Sequence, residues 1–249
     1  MLNYTSDSST QKATALATSL QDEHGIKAIT VQADMGKPTG PAHIISTAKN
    51  NFAHPKTHKF QIDILINNAG VADLVALPDI TVAHFDSLYH VNVLGPLLLV
   101  QAAIPYLPAD RSGRIVNVSS VSSSLGGPAQ SVYGGTKAAL EAMTRTWARE
   151  LAENATVNAV NPGPVKTDMY DGTSEELKLG MKPMIQITPL MGVREGVDEE
   201  QDVKNAEKIG GRLGYDYEIA GVVAMLCGED AGWCTGSVVC ANGGMKFST

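Results

Sequence analysis

The sequence lacks several features that would each assign it to a particular class of protein. It has no cluster of lysines and arginines, and its net charge is −7, so the electrostatic footprint of a nucleic-acid-binding protein is missing. No apolar run approaches the ~18 residues that a membrane span requires. The first residues have neither the basic region nor the apolar region of a signal peptide. These absences predict a soluble, cytoplasmic protein that binds neither DNA, RNA nor a membrane.

Residues that bind metals or form disulfides are also few. The three cysteines, Cys227, Cys234 and Cys240, are odd in number and are surrounded by apolar residues, which favours buried free thiols over disulfides. The six histidines include no pair with the spacing of a metalloprotease helix. We therefore predict no metal site.

The composition and pattern that are present indicate an α/β protein. With 249 residues, 43% of them hydrophobic, the chain is long enough for one large domain over residues 1–249. Short β-rich runs alternate with longer helical ones, as in a parallel sheet covered by helices. We predict strands at 27–32, 62–66, 114–118, 156–160 and 237–240, and helices at 9–24, 41–51, 85–107, 132–153 and 218–226. The stretch 169–211, which mixes Pro, Gly, Met and acidic residues, is predicted to be a mobile insertion.

One pair of residues suggests acid–base chemistry. Tyr133 and Lys137 lie one helical turn apart, so both side chains emerge on one face of a predicted helix. An ammonium close to a phenol lowers the pKa of the phenol from its ordinary value of about 10, which suits tyrosine to proton transfer near neutral pH. Ser120 follows a predicted strand, and its hydroxyl could reach the phenol. The spacing alone is weak evidence, and a merely polar turn is the alternative for the serines around Ser120.

Six short motifs in a fixed order strengthen this interpretation. They are Asn67-Asn68-Ala69-Gly70, Val91-Asn92-Val93, Asn117-Val118-Ser119-Ser120, Tyr133-x-x-x-Lys137, Asn161-Pro162-Gly163, and Thr235-Gly236 followed by Gly243-Gly244. With these motifs the chain resembles a short-chain dehydrogenase/reductase over about residues 1–244. The motifs are most similar to those of 3-oxoacyl reductases and fungal ketoreductases. The resemblance implies a Rossmann-type, doubly wound, mostly parallel sheet.

The resemblance also implies a role for each matching residue. Tyr133 is expected to protonate a carbonyl oxygen, Ser120 to hydrogen-bond that oxygen, and Lys137 to lower the pKa of Tyr133 and hold the nicotinamide ribose. Asn92 is expected to hold a water that connects Lys137 to solvent, and the alternative is an asparagine at a helix kink that bonds to backbone. The glycines at 134 and 135 are expected to let cofactor or substrate approach closely, with a frayed first helical turn as the alternative. The residues expected to bind the cofactor are Asp34, Asn67, Ala69, Gly70, Tyr133, Lys137, Pro162, Gly163, Val165 and Thr167.

The family's opening strand, its glycine-rich loop and its first helix have no counterpart in this sequence. In the family that loop and helix N-terminus bind the pyrophosphate of the cofactor. We therefore expect an N-terminally truncated sheet with two exposed inner edges. Three arrangements are open: the two edges pair directly, another chain fills the gap between them, or the N-terminal segment is displaced. Residues 1–9 resemble the end of the family's second strand, and the carboxylate that would bind the ribose of NAD is absent there. Asp7 lies nearby, but NADP is expected rather than NAD.

These observations predict an NADP(H)-dependent oxidoreductase that reduces a ketone to a secondary alcohol, or catalyses the reverse. The alternative is a redox-inactive relative that performs cofactor-free proton chemistry or acts as a binding or assembly protein, and the missing loop favours it. The methionine-rich start of 169–211, in the position of a substrate lid, predicts a small apolar carbonyl or alcohol substrate rather than a sugar. The apolar run at 91–100, with the stripe Ala139, Met143, Trp147 and Leu151, predicts a homodimer or homotetramer.

Overall fold

The computed structural model describes residues 1–247, in which strands and helices alternate as predicted. The strands are β1 (Leu2–Tyr4), β2 (Thr30–Gln32), β3 (Ile64–Asn67), β4 (Gly113–Val118), β5 (Ala155–Pro162) and β6 (Val238–Ala241). The helices are α1 (Thr10–His24), α2 (Thr39–Phe52), α3 (Val82–Tyr89), α4 (Gly95–Ala103), α5 (Ser122–Leu125), α6 (Ser131–Glu150), α7 (Asp168–Asp171), α8 (Glu175–Ile187), α9 (Glu200–Ile209) and α10 (Asp216–Cys227). A π-helical turn, His90–Leu94, joins α3 to α4.

The strands form two parallel sheets instead of one. One sheet has the order β1-β2 and the other has the order β3-β4-β5-β6. A doubly wound fold of the predicted type places one further strand between the positions of β1 and β3. The parallel strands with helices between them confirm the α/β class. Within residues 1–247 no strand lies between β1 and β3, so both predicted inner edges of the sheet are present. The two edges do not pair with each other, which removes the first of the three arrangements that the sequence left open.

The helices α2 and α4 hold the two sheets together. Val31 of β2, Ile44 of α2 and Leu99 of α4 belong to one buried cluster, and Leu65 of β3 packs against it. Residues that follow β2 and β3 also meet at the same turn. A Cβ on Gly95 would lie 2.7 Å from the carbonyl oxygen of Met35, and the backbone of Val71 bonds to Asn92. The carboxyl ends of β2 and β3 therefore lie on the same side, and the two sheets run in the same direction.

A second buried cluster lies between α6 and the four-stranded sheet. Trp147 and Leu151 are buried there with Ile115 and Val157, and Met143 packs against the cluster. The prediction that this stripe faces a second subunit is wrong for these residues. A helix that lies between a sheet and solvent buries its apolar stripe on the sheet, and α6 does so.

The helical run Val82–Tyr106 is 25 residues long and, by length and composition alone, apolar enough to cross a membrane. The sequence analysis did not identify this helix as a membrane-span candidate, because Asn92 and Gly95 interrupt its apolar run. Leu88, Leu99 and Val100 are buried in three different clusters of the core. A core helix of this kind accounts for the apolar composition.

The segment predicted to be a mobile insertion is mostly helical. It contains α7, α8 and α9, and its residues Ile185 and Met191 form a buried cluster with Leu213. The segment is folded, because its methionines and aliphatic residues have a small core of their own, and its mobility stays a prediction. An ionic contact supports the base of this segment, where the Arg212 guanidinium donates two hydrogen bonds, of 2.9 and 2.8 Å, to the Glu218 carboxylate.

Candidate active site

The carboxyl ends of β3, β4 and β5 bring most of the predicted residues to one edge of the sheet. β3 ends at Asn67 and leads to Gly70, β4 leads to Ser120, and β5 ends at Pro162 and leads to Gly163. In open parallel sheets this edge is where ligands bind. The sequence motifs therefore converge in space as the strand order predicts.

Helix α6 presents Tyr133 and Lys137 to this edge, and both side chains are buried. The first turn of α6 lies directly against the preceding loop. A Cβ on Gly134 would lie only 2.6 Å from the carbonyl oxygen of Ser122. The glycine is therefore required by the chain's own backbone, and neither the expected approach of cofactor or substrate nor a frayed turn is its cause at position 134.

The hydroxyl of Ser120 lies beside the phenol of Tyr133 and affects its pKa. Ser122 fixes that hydroxyl, because its backbone N–H donates to the Ser120 Oγ over 3.2 Å and its own Oγ accepts from it at the same distance. Burial raises the pKa of Tyr133 above its ordinary value, and the hydrogen bond from Ser120 opposes the rise. A buried phenol that keeps its proton suits the role of an acid better than that of a base.

The ammonium of Lys137 is also buried, and it bonds to backbone rather than to the phenol. Its Nζ donates to the carbonyl oxygen of Val118 over 2.8 Å and lies 5.8 Å from the centre of the Tyr133 ring. Burial lowers the pKa of Lys137 from 10.5 to about 8, because a low-dielectric surrounding disfavours the charged form. Burial is the largest cause of the shift in the pKa of Tyr133, and the expected lowering of that pKa by Lys137 stays a prediction.

Asn92 connects the π-helical turn to the loop after β3. Its Oδ1 accepts from the N–H of Val71 at 2.9 Å, and its Nδ2 donates to the Val71 carbonyl at 2.8 Å and to Thr136 Oγ1 at 3.1 Å. Single π-helical turns inside α-helices are frequent at functional sites. The structure thus contains the alternative that the sequence left open, an asparagine bonded to backbone. That backbone is Val71, which is 21 residues away in the chain.

Sequence reasoning missed Thr136 and Val71, which orient Asn92. Thr136 also donates to the carbonyl oxygen of Tyr133 at 2.7 Å, so it links Asn92 to α6. Its position beside Lys137 was the only available signal. A Cβ on Gly70 would lie 3.3 Å from both Asn92 Oδ1 and Lys137 Nζ. These two polar atoms thus border one small space, and the expected water between them stays a prediction.

The remaining predicted cofactor residues follow β2 and β5. Asp34 accepts the N–H of Gly36 at 2.8 Å and borders a cavity of about 460 Å³, which is also lined by His90. The carbonyl oxygen of Pro162 accepts the N–H of Val121 at 2.9 Å. Thr167 caps α7, Val165 forms an isolated parallel bridge with Gly214, and Ala69 lies beside Gly70.

Asn67 is the last residue of β3, and one oxygen of its side chain lacks a hydrogen-bond donor among residues 1–247. Its Nδ2 donates to Asn117 Oδ1 at 2.7 Å, and Asn117 in turn donates to Thr144 at 2.8 Å. The Oδ1 of Asn67 is buried and has no hydrogen-bond partner among residues 1–247. A buried acceptor left in this state costs about 1–3 kcal/mol, so its partner is expected to lie outside the described residues.

A nicotinamide dinucleotide fits one end of this site and not the other. Around the space at Gly70, the Lys137 ammonium and the Asn92 carbonyl can bind a ribose hydroxyl. The pyrophosphate needs backbone N–H groups at a glycine-rich turn that enters a helix. Residues 1–247 supply no such turn between β1 and β3, so they form the nicotinamide end of the site without a pyrophosphate cradle.

Comparisons with known proteins agree with this geometry. A protein family described as short chain dehydrogenase matches residues 2–178. L-xylulose reductase of Aspergillus niger is 55% identical over 264 aligned residues, which cover 100% of this chain and 89% of that protein. L-xylo-3-hexulose reductase of Hypocrea jecorina is 48% identical, with coverage of 100% and 88%. The crystal structure of a blue fluorescent protein from a metagenomic library, in complex with NADPH, has a TM-score of 0.80 at 30% identity and covers 98% of this chain and 86% of that one.

Proposed function

Because the chain belongs to the short-chain dehydrogenase/reductase family and is thus an oxidoreductase, we propose that it reduces a small ketose to a secondary alcohol with NADPH. The observation that carries the proposal is the buried phenol of Tyr133, which lies beside Ser120 and on the same helix face as Lys137. These three side chains meet at the edge of the sheet where parallel folds bind ligands.

The protein's own residues manage the proton. In our proposal the hydroxyls of Tyr133 and Ser120 both donate hydrogen bonds to the ketone oxygen, and Tyr133 transfers its proton as that oxygen gains negative charge. When bound, NADPH supplies the hydride to the carbonyl carbon. The raised pKa of Tyr133 makes the phenol a proton donor at neutral pH, and Ser122 keeps the Ser120 hydroxyl in position.

Lys137 and Asn92 act behind the tyrosine. After Tyr133 gives up its proton, the Lys137 ammonium near its ring stabilises the phenolate. The space at Gly70 is bordered by Lys137 Nζ and Asn92 Oδ1, so a water there would return a proton toward Tyr133. Asn92 keeps this space in shape through its bonds to Val71 and Thr136.

The preference for NADPH over NADH is supported at the end of β1. The Asp7 carboxylate accepts a hydrogen bond of 2.7 Å from the side chain of Gln32, which draws it toward β2. The hydroxyls of Ser6 and Ser8, 2.7 Å apart, lie just before α1. A phosphate on the ribose is easier to accept beside hydroxyls and a helix N-terminus than beside a free carboxylate.

Two substrate classes have support. The two most similar relatives reported above are named as reductases of L-xylulose and L-xylo-3-hexulose, which favours a polyhydroxylated ketone. The second candidate is the apolar carbonyl compound predicted from the sequence. In its favour, the helical segment 169–211, which we propose as the substrate lid, exposes Met169, Leu179, Ile187 and Leu190.

The test is NADPH oxidation with L-xylulose and, separately, with cyclohexanone. Tyr133→Phe should lower kcat by about a hundredfold or more, because it removes the proton donor and keeps the ring. Its affinity for NADPH, measured by fluorescence titration, should barely change. Tyr217→Phe is the matched control, because Tyr217 is exposed on α10, and it should keep full activity. Full reductase activity of Tyr133→Phe would overturn the assignment, and faster turnover of cyclohexanone would favour the second substrate class.

Two further substitutions separate the roles of the neighbours. Ser120→Ala should act mainly on kcat, since it removes one hydrogen bond to the developing oxyanion. Lys137→Ala should reduce both kcat and the affinity for NADPH, because the ammonium serves the phenol and the ribose. If all three substitutions are silent and no NADPH binds, the redox-inactive alternative, which the lack of a pyrophosphate cradle favours, replaces our proposal. A cytoplasmic location and a homodimer or homotetramer complete the proposal.

A further inference from the structure

One polar atom of the loop between α5 and α6 has no hydrogen-bond partner in the described part of the chain. Gln130 immediately precedes α6, and its Oε1 is buried without a donor among residues 1–247. The residue as a whole is only partly buried, so this amide lies just beneath the surface. Buried polar groups are nearly always hydrogen-bonded, and an exception calls for a specific explanation.

The backbone of this loop holds the amide in one place. A Cβ on Gly127 would lie 3.0 Å from both Cδ and Oε1 of Gln130, so the amide packs on the bare backbone of the glycine. Ala129, next to Gln130, has a φ of 60°, in the left-handed region that residues with a Cβ rarely adopt. Backbone strain of this kind is found at active sites and at ligand clamps, where the surrounding structure maintains it. The position of the amide is therefore built into the loop.

Gln130 lies one helical turn before the tyrosine of the candidate active site. Its carbonyl oxygen accepts the N–H of Gly134 at 2.7 Å, so the first turn of α6 begins at Gln130. Side chains three positions apart on a helical turn are neighbours, and Tyr133 lies three positions further along. The segment that leads from β4 to Gln130 also carries Ser120, which lies beside the same phenol. The amide is therefore expected to border the space in which, in our proposal, Tyr133 and Ser120 meet the ketone oxygen.

The chemistry of an amide indicates which ketones it favours. Its oxygen accepts a hydrogen bond and its nitrogen donates one, and a hydroxyl can donate to the first and accept from the second. A hydroxyl would also suit the amide after a half-turn about its last bond, which exchanges the oxygen and the nitrogen. An unsubstituted ketone has no O–H group and leaves Oε1 of Gln130 without a donor. Because the amide is uncharged, it gives no advantage to a phosphorylated or carboxylated substrate.

We propose that Gln130 is a substrate-binding residue that selects ketones with a hydroxyl on the carbon next to the carbonyl. This inference rests on the proposed function, because Tyr133 and Ser120 must hold the carbonyl oxygen. The hydroxyl on the neighbouring carbon then donates to Oε1 of Gln130 and accepts from its Nε2. Of the two substrate classes considered above, Gln130 therefore favours the polyhydroxylated ketone, since an apolar ketone leaves the buried acceptor unsatisfied.

The experiment compares two ketones that differ by one hydroxyl. Cyclohexanone and 2-hydroxycyclohexanone have the same ring, and only the second carries a hydroxyl next to the carbonyl. The wild-type chain should prefer the second by about tenfold or more in kcat/KM, because its hydroxyl satisfies a buried acceptor. Gln130→Met keeps the length of the side chain without its hydrogen-bonding groups, and it should abolish this preference. Gln21→Met, which changes an exposed glutamine of α1, is the matched control and should keep the preference.

A binding measurement separates this inference from the proposed reaction. Titration of L-xylulose by NMR in the presence of NADP⁺, which has no hydride to give, should show about tenfold weaker binding to Gln130→Met than to the wild-type chain. The thermal midpoints of the two should agree within about 2 °C, whereas a merely structural role of Gln130 would lower that of the variant and overturn the inference. A wild-type chain that shows this difference in binding without reducing L-xylulose would support the role of Gln130 and contradict the proposed reaction. An unchanged preference between the two ketones, or equal binding of L-xylulose, would overturn the role of Gln130 and leave an ordered water as the partner of its Oε1.

Discussion

Two strands of the four-stranded sheet, β5 and β3, contain similar apolar residues and differ in what surrounds them. Every residue of β5 is buried, because strands lie on both sides of it and helices on both faces. In β3 the equally apolar Ile64 and Ile66 are exposed, since within residues 1–247 β3 pairs with a strand on one side only. Burial of a strand residue is thus decided by its position in the sheet, and residue type alone does not predict it.

The two sheets also differ in the predicted functional residues that they hold. Ser120, Tyr133 and Lys137 belong to the four-stranded part, where all contacts that hold them are present. Of the residues predicted to bind the cofactor, Asp34 follows β2 of the two-stranded sheet, whereas Asn67 and Gly70 lie at the end of β3 in the four-stranded sheet. The residues predicted to transfer the proton therefore lie in one sheet, and those predicted to bind the cofactor are divided between both. The comparison predicts that substitutions in the four-stranded part have the larger effects.

The largest expected effect on stability contrasts two isoleucines of adjacent strands. Ile115→Ala in β4 should lower the free energy of unfolding by about 3 kcal/mol, because it leaves a cavity in a packed cluster. Ile66→Ala in β3 should cost less than about 1 kcal/mol, because much of that side chain is already in contact with water. Urea unfolding of both variants measures the difference. Equal losses would mean that Ile66 is covered in solution.

A substitution of Lys137 is expected to raise the free energy of unfolding, by less than Ile115→Ala lowers it. Its pKa is about 8 in the fold, against an ordinary value of 10.5, so the fold favours the neutral amine. Below pH 8 the cost of burying the ammonium is fully present, and it disappears as the pH rises from 8 to 10.5. Lys137→Met should therefore raise the free energy of unfolding at pH 7 by about 1–3 kcal/mol while it abolishes turnover.

The control for this prediction is Lys12→Met, which replaces an exposed lysine of α1 and should leave stability unchanged. In the wild-type chain the free energy of unfolding should rise between pH 8 and 10.5, and in Lys137→Met that rise should be absent. A destabilised Lys137→Met variant at pH 7 would show that the bond to Val118 outweighs the desolvation of the ammonium.

Much of the fold and of the candidate site could be predicted from the sequence, because both depend on short-range patterns. Turn residues after apolar runs located the strand ends, and the four-residue spacing put Tyr133 and Lys137 on one face of α6. The pKa of Tyr133 could not be predicted, since it depends on how deeply the ring is buried. Likewise, the partners of Asn92 lie on segments 21 and 44 residues away, which no local pattern connects.

The smallest effect on the fold is expected on the outer face of α6. Its inner stripe packs on the sheet, whereas Ala142, Thr146 and Arg149 line an open concavity of about 390 Å³. Leu97 of α4 is also partly exposed, so a second copy could pack α4 and α6 against the same two helices. Ala142→Arg should then convert a dimer to a monomer in light scattering and leave the unfolding midpoint of the monomer unchanged, because position 142 is open to solvent. A wild-type chain that is monomeric at micromolar concentration would contradict the homo-oligomer, and a dimer that survives Ala142→Arg would move the interface elsewhere.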